Sequence, residues 1–153
     1  MRFRLIVVGK LRAGALADCV REFESRAARY WPLDVIELRD EPSRGRAPAI
    51  IQRGEGLRIL SALKGATILV CDERGAGMSS DAFARWLRAR QESAADVDLV
   101  VGGAFGLADA VRARATKLLA LAPWTLSHEL ARLVLAEQLY RAGTIIRGEP
   151  YHK

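Results

Sequence analysis

The chain has 153 residues, 50% of them hydrophobic, and 24 Lys and Arg against 18 Asp and Glu give it a net charge of +6. That length fits one compact domain over residues 1–153 with ample apolar material for a core, and no apolar run approaches the roughly 20 residues that cross a membrane. Two cysteines, Cys19 and Cys71, stand far apart without a Cys/His ligand spacing, which speaks against a disulfide framework or a metal site and for a reducing, cytoplasmic setting.

In chain order, Phe3–Val8 reads as a strand. Its basic start turns polar at Gly9-Lys10 without a small-residue cleavage site, so a strand explains it better than a signal peptide. Residues 13–30 carry a helical period, Leu33–Leu38 form a second strand and residues 47–63 a second helix. Between these two, residues 39–48 mix Pro, Gly and charge as a flexible loop, whose Arg44 and Arg46 suit phosphate contact and a solvated connection equally. Residues 66–71 form a third strand, residues 80–91 a helix behind a Ser79/Ser80/Asp81 cap, Val97–Val101 a fourth strand, and residues 107–115 a helix. Strand 117–121 and helix 127–142 close the series. Alternating strands and helices, with most strands continuously apolar, predict an α/β fold: a mostly parallel sheet covered by helices on both faces. Ligands of such sheets sit at the carboxyl ends of the strands.

Two of those ends stand out. The fourth strand stops in Gly102 and Gly103, with Gly106 just beyond, where missing side chains let backbone N–H groups approach a ligand; a tight strand-to-helix turn would use the same residues. The fifth runs through Leu121 and Ala122 into Pro123, Trp124, Thr125 and Leu126, a loop suited to lining a slot for a flat ring, although Trp124 also fits a core. The first strand instead leads into Gly9-Lys10-Leu11-Arg12-Ala13-Gly14, which is neither a dinucleotide fingerprint nor a P-loop. Residues 72–77 read as a turn, with Glu73 on the surface and Asp72 undecided at the strand end.

The last helix carries Glu137 and Arg141 four residues apart, either as an ion pair on a partly exposed helix or with Arg141 near a pocket mouth on a helix buried against a second subunit. His128 at its start reads as structural or as a neighbour of the cap. Arginine makes up 20 of the 24 basic residues, which favours a phosphate-bearing partner, though acids are interspersed throughout. The chain ends in Tyr151, His152 and Lys153 behind a proline, a group able to stack on a base, bond its edge and neutralise a phosphate.

Val101-Gly102-Gly103 with Phe105-Gly106, then Trp124-Thr125-Leu126-Ser127-His128, Glu137-Gln138-Leu139-Tyr140-Arg141-Ala142 and the terminal Arg147-Gly148-Glu149-Pro150-Tyr151-His152-Lys153 resemble the RlmH family of SPOUT methyltransferases over essentially the whole chain. The resemblance implies an S-adenosylmethionine-dependent enzyme that methylates N3 of a pseudouridine in 23S RNA of the large ribosomal subunit. It also implies a homodimer acting on assembled ribosomes without a metal, and a C-terminal trefoil knot, a rare exception among folds. Cofactor contacts would then come from Cys71, from Gly102, Gly103 and Gly106, and from Leu121, Ala122, Pro123, Trp124, Thr125 and Leu126. Catalytic and RNA-binding roles would fall to Arg141, Tyr151, His152 and Lys153. Tyr151 would stack or hydrogen-bond, Arg141 and Lys153 hold phosphate or a developing anion, and His152 take the proton. Cys71 stands where the family often has leucine, and Ser127 where proline commonly precedes the histidine. The alternatives are a noncatalytic RNA-binding or ribosome-assembly protein and, with the phosphate loop missing, a small-molecule enzyme using another nucleotide.

Overall fold

The computed structural model describes the backbone of residues 1–152 and the side chains of residues 1–151. Its elements are β1 (Phe3–Val8), α1 (Ala15–Ala27), β2 (Leu33–Leu38), α2 (Pro48–Ala62), β3 (Thr67–Gly77), α3 (Ser80–Glu92), β4 (Val97–Val101), α4 (Asp109–Arg114), β5 (Lys117–Ala120) and α5 (His128–Arg147), followed by a 3-10 turn at Pro150–His152. The strands form one sheet in the order β2-β1-β4-β3-β5, parallel at every pairing.

Side-chain alternation along the inner strands splits the apolar residues between two cores. Phe3, Leu5 and Val7 of β1, with Leu69, Leu99 and Leu119 from the other strands, pack under α1, α3 and α5 through Ala27, Phe83, Leu87, Leu135 and Leu139. Ile6, Val8, Ile68, Val70 and Val100 point the other way, onto Ile59 of α2 and Val111 of α4. A strand buried on both faces has no polar side to expose, which is why β1 and β4 are apolar apart from Arg4 and Asp98, themselves buried. β2 is the exception. At the sheet edge it is half-exposed and carries Asp34 and Glu37, charges that discourage pairing with another chain.

The α/β sheet covered on both faces is as the sequence implied, and several boundaries differ for physical reasons. α1 stops at Ala27 rather than running to residue 30, because Tyr30 and Trp31 turn back onto α5, where the Trp31 indole N–H donates to the Leu139 carbonyl at 2.8 Å. Residues 72–77 are not a turn. After a bulge between Cys71 and Ala76, the chain pairs with β5 again at Ala76 and Gly77. Gly75 allows the close approach, since a Cβ there would sit 2.6 Å from the Leu118 carbonyl carbon. α4 is shorter than the expected 107–115, and α5 is longer than 127–142. Its Gly143 faces the Tyr30 ring, where a Cβ would meet ring atoms at 2.3–2.6 Å, so the helix continues past it. Gly148 ends α5 in the left-handed conformation at φ 69°.

Candidate active site

The carboxyl ends of β3, β4 and β5 enclose a cavity of about 320 Å³, within the range of small-molecule sites. One wall is the loop after β4, in which Gly102 and Gly103 are fixed by crowding. A Cβ on Gly102 would lie 2.8 Å from the Leu107 side chain, and one on Gly103 would lie 2.6 Å from Glu55 Oε2 and 3.0 Å from Val8. Gly106 adopts φ +79° and its N–H donates to the Gly103 carbonyl at 3.1 Å, closing the turn.

α2 holds this loop from behind. The Gln52 amide donates to the Phe105 carbonyl at 2.6 Å. Glu55, three residues later on the same helix face, is only 3% exposed and accepts the Glu41 N–H at 3.1 Å through Oε1. Its Oε2 has no partner among the described residues, and burial raises its carboxyl above the ordinary glutamate range.

The opposite wall is the chain after β5. Leu121, Ala122, Trp124, Thr125 and Leu126 line the cavity, whereas Pro123 does not. Trp124 is 73% exposed and so is not a core residue; its indole borders the opening. The floor is Cys71, whose thiol is pushed up to about 12 by burial, reinforced by neighbouring Asp72. A polar rim, unforeseen in the sequence, comes from the bulged part of β3. Asp72 accepts from Arg112 Nε at 2.7 Å, and Glu73 accepts the Thr125 hydroxyl at 2.6 Å, tying this rim to the wall after β5. Arg112 stands on a one-and-a-half-turn helix with no period to announce it. His128 completes the cavity at the start of α5, where Ser127 caps the helix by accepting the Leu130 N–H at 3.4 Å.

Arg141 and Tyr151 lie elsewhere. Thirteen residues of helix separate His128 from Arg141, a rise of about 20 Å, and neither Arg141 nor Tyr151 lines the cavity. They form their own cluster. Arg141 donates to Glu137 Oε1 from Nε at 2.9 Å and from a terminal nitrogen at 2.5 Å, the ion pair read from the i,i+4 spacing. The Tyr151 hydroxyl donates to the same oxygen at 3.0 Å, and the Arg141 guanidinium lies 4.7 Å from the Tyr151 ring centroid. Burial first, then its bond to Glu137, raises the Tyr151 phenol above its ordinary value. The apolar girth of α5 is largely buried against α1 and α3 within the same chain, leaving Leu130 42% exposed near the cavity. The side chains of His152 and Lys153 lie outside the described residues. Among the described residues no helix is long and apolar enough to cross a membrane, and no three His, Cys, Asp or Glu side chains gather as a metal site.

A family model described as "Predicted SPOUT methyltransferase" matches residues 1–152. A protein of Gemmatimonas aurantiaca named ribosomal RNA large subunit methyltransferase H is 54% identical, with both chains covered in full. One of the same name from Syntrophotalea carbinolica is 44% identical over 99% of each chain. Among solved structures, a probable methylase family protein from Haemophilus influenzae superposes with a TM-score of 0.57 over 99% of this chain and 70% of its own, at 12% identity, a likeness of fold alone. Matched from end to end, the chain belongs to the SPOUT methyltransferase family.

Proposed function

We propose that this chain is an S-adenosylmethionine-dependent methyltransferase of the cytoplasm that modifies N3 of a pseudouridine in 23S RNA of the large ribosomal subunit. It works as a homodimer of single domains spanning residues 1–153, each with the family's C-terminal trefoil knot. The observation that carries this reading is the cavity, which unites Cys71, the glycine loop and the chain after β5, three stretches far apart in sequence. Full-length relatives named as large-subunit RNA methyltransferases support the substrate.

The cavity fits the methyl donor. Gly102 and Gly103 leave backbone open to a ligand, Leu121, Leu126 and the Trp124 ring suit a flat heterocycle, and Glu73, beside the Asp72–Arg112 pair, leaves net negative charge for a cationic ligand. When bound, S-adenosylmethionine would supply an electrophilic methyl group, so the protein's task is to hold the acceptor base in line with it. The RNA side is formed by Arg141, Tyr151, His152 and Lys153 of the partner subunit's tail, since the helix separates a chain's own Arg141 from its own cavity by about 20 Å. There Tyr151 stacks on or bonds the base, Arg141 and Lys153 pair with phosphate or the developing anion, and His152 contacts the base edge.

Incubating the protein with ribosomes and methyl-labelled cofactor, then mapping the label, tests this directly. Label at N3 of one pseudouridine is expected. Saturable RNA binding with no calorimetric signal from the cofactor would instead support a noncatalytic RNA-binding protein. Removing residues 151–153 should leave cofactor binding intact and abolish transfer; a normal transfer rate would remove the tail from the site.

A further inference from the structure

We infer that His128, on the wall of the donor cavity, is the group that accepts the proton leaving N3 of the target base. This assignment rests on the proposed reaction and names a catalytic residue for it. N-methylation leaves a proton to be taken up, and near neutral pH an imidazole is the side chain best matched to that task. The chain has two histidines, His128 and His152.

The other ionisable side chains of the cavity are committed. Asp72 is held by Arg112 at 2.7 Å, and Glu73 by the Thr125 hydroxyl at 2.6 Å. Arg112 is a cation with no basic lone pair, and the Cys71 thiol is pushed up to about 12. That leaves His128 among the described residues that line the cavity.

Its position fits the role. His128 lines both the donor cavity and a second, small cleft over the carboxyl end of β1, lined also by Gly9, Lys10, Glu129 and Arg132. Gly9 makes that approach open, because a Cβ there would lie 3.8 Å from His128 Nε2 and any larger side chain would cover the ring. The backbone at Gly9 has φ +88°, so the missing side chain is built into the turn. The charged residues that share a wall with His128 are Asp72, Glu73 and Arg112 in the donor cavity and Lys10, Glu129 and Arg132 in the cleft. Lys10 is exposed and lines the same small cleft.

The step balances. The N3–methyl bond forms as the sulfonium–methyl bond breaks, the sulfur keeps the electron pair, and the N3 proton passes to His128 Nε2 and then to water.

The test compares wild type with His128→Gln, His128→Ala and His152→Gln by single-turnover methylation of ribosomes across pH, alongside calorimetric cofactor affinity and ribosome binding. In wild type the rate should fall on the acid side of the pH profile. His128→Gln should lower the rate about 100-fold and lose that acid limb, with cofactor and ribosome affinities within about threefold of wild type and added imidazole restoring part of the His128→Ala rate. His152→Gln should keep the acid limb while weakening ribosome binding. An acid limb that survives in His128→Gln, or disappears in His152→Gln instead, overturns the assignment. Absence of label with wild type overturns the proposed reaction itself, and this assignment with it.

Discussion

Arg4 of β1 and Asp98 of β4 are registered partners on adjacent strands, 94 residues apart in sequence, joined by a 2.5 Å bond from Arg4 Nε to Asp98 Oδ1. Asp98 is fully buried and Arg4 is 8% exposed. The second carboxylate oxygen accepts the backbone N–H groups of Lys64 and Gly65, both at 2.7 Å, so one side chain fastens two strands and the α2–β3 connection. Asp98→Ala strands a buried guanidinium and two backbone donors, and should cost about 3–5 kcal/mol. Urea unfolding reads this as a lower midpoint at unchanged slope. Because the pair lies near the amino ends of the strands, cofactor affinity of the folded fraction should be preserved.

A methyl group at Gly103 would press on Glu55, which is buried and held from its other oxygen by Glu41. The loop therefore has to move toward the cavity. Gly103→Ala should weaken cofactor binding at least tenfold by calorimetry and lower stability by about 1–3 kcal/mol, the usual cost of overpacking. Unchanged affinity would separate this loop from the ligand site.

Arg132 is 4% exposed on α5 and donates to Glu24 at 2.7 and 3.1 Å and to Glu37 at 2.8 Å, joining α5 to α1 and to the edge strand. Truncating it leaves two carboxylates facing each other without their cation. Arg132→Ala should cost about 3 kcal/mol, and Arg132→Lys should recover only part of this, because an ammonium cannot serve both carboxylates as the guanidinium does.

Tyr30 donates its hydroxyl to Glu149, and that bond, with burial and the Glu149 charge, pushes the phenol up to about 12. A folded-state value above the ordinary 10 contributes stability that is complete below pH 10 and is lost as pH rises toward about 12. Thermal unfolding should therefore weaken across that window, and Tyr30→Phe should flatten the dependence and remove a late phenol from the ultraviolet titration.

Cys19 is exposed, whereas Cys71 lies at the cavity floor with its thiol raised to about 12. Since the thiolate is the reactive form, a thiol reagent at pH 8 should modify one cysteine, and Cys19→Ser should abolish the reaction in the native protein.

Periodicity was enough to locate the inner strands and the alternation of strand with helix, because a parallel strand buried on both faces is apolar nearly throughout, Arg4 and Asp98 being a paired exception, and a covering helix must be apolar on one side. The two ligand-shaped strand ends were legible for the same reason: glycines, or a loop carrying an aromatic residue, interrupt such runs abruptly. Asp72, Glu73 and Arg112 were not. Their ion pair and hydrogen bond depend on the bulge in β3, and Gly75 signals a turn and a bulge alike until the backbone of β5 is seen against it. The end of the last helix was also read too early, at residue 142; the helix runs on past Gly143, where the space a side chain would take is filled by Tyr30 beyond the end of α1.

The sequence by itself determined the layers, the two strand ends and the chemistry of the terminal residues, since these follow from local pattern and side-chain type. Tertiary structure alone decided which residues meet. It brings His128 to the cavity and leaves Arg141 and Tyr151 bound to Glu137 farther along α5. The physical reason is that a helix fixes separation along its axis, while long-range pairing sets which loops its two ends face.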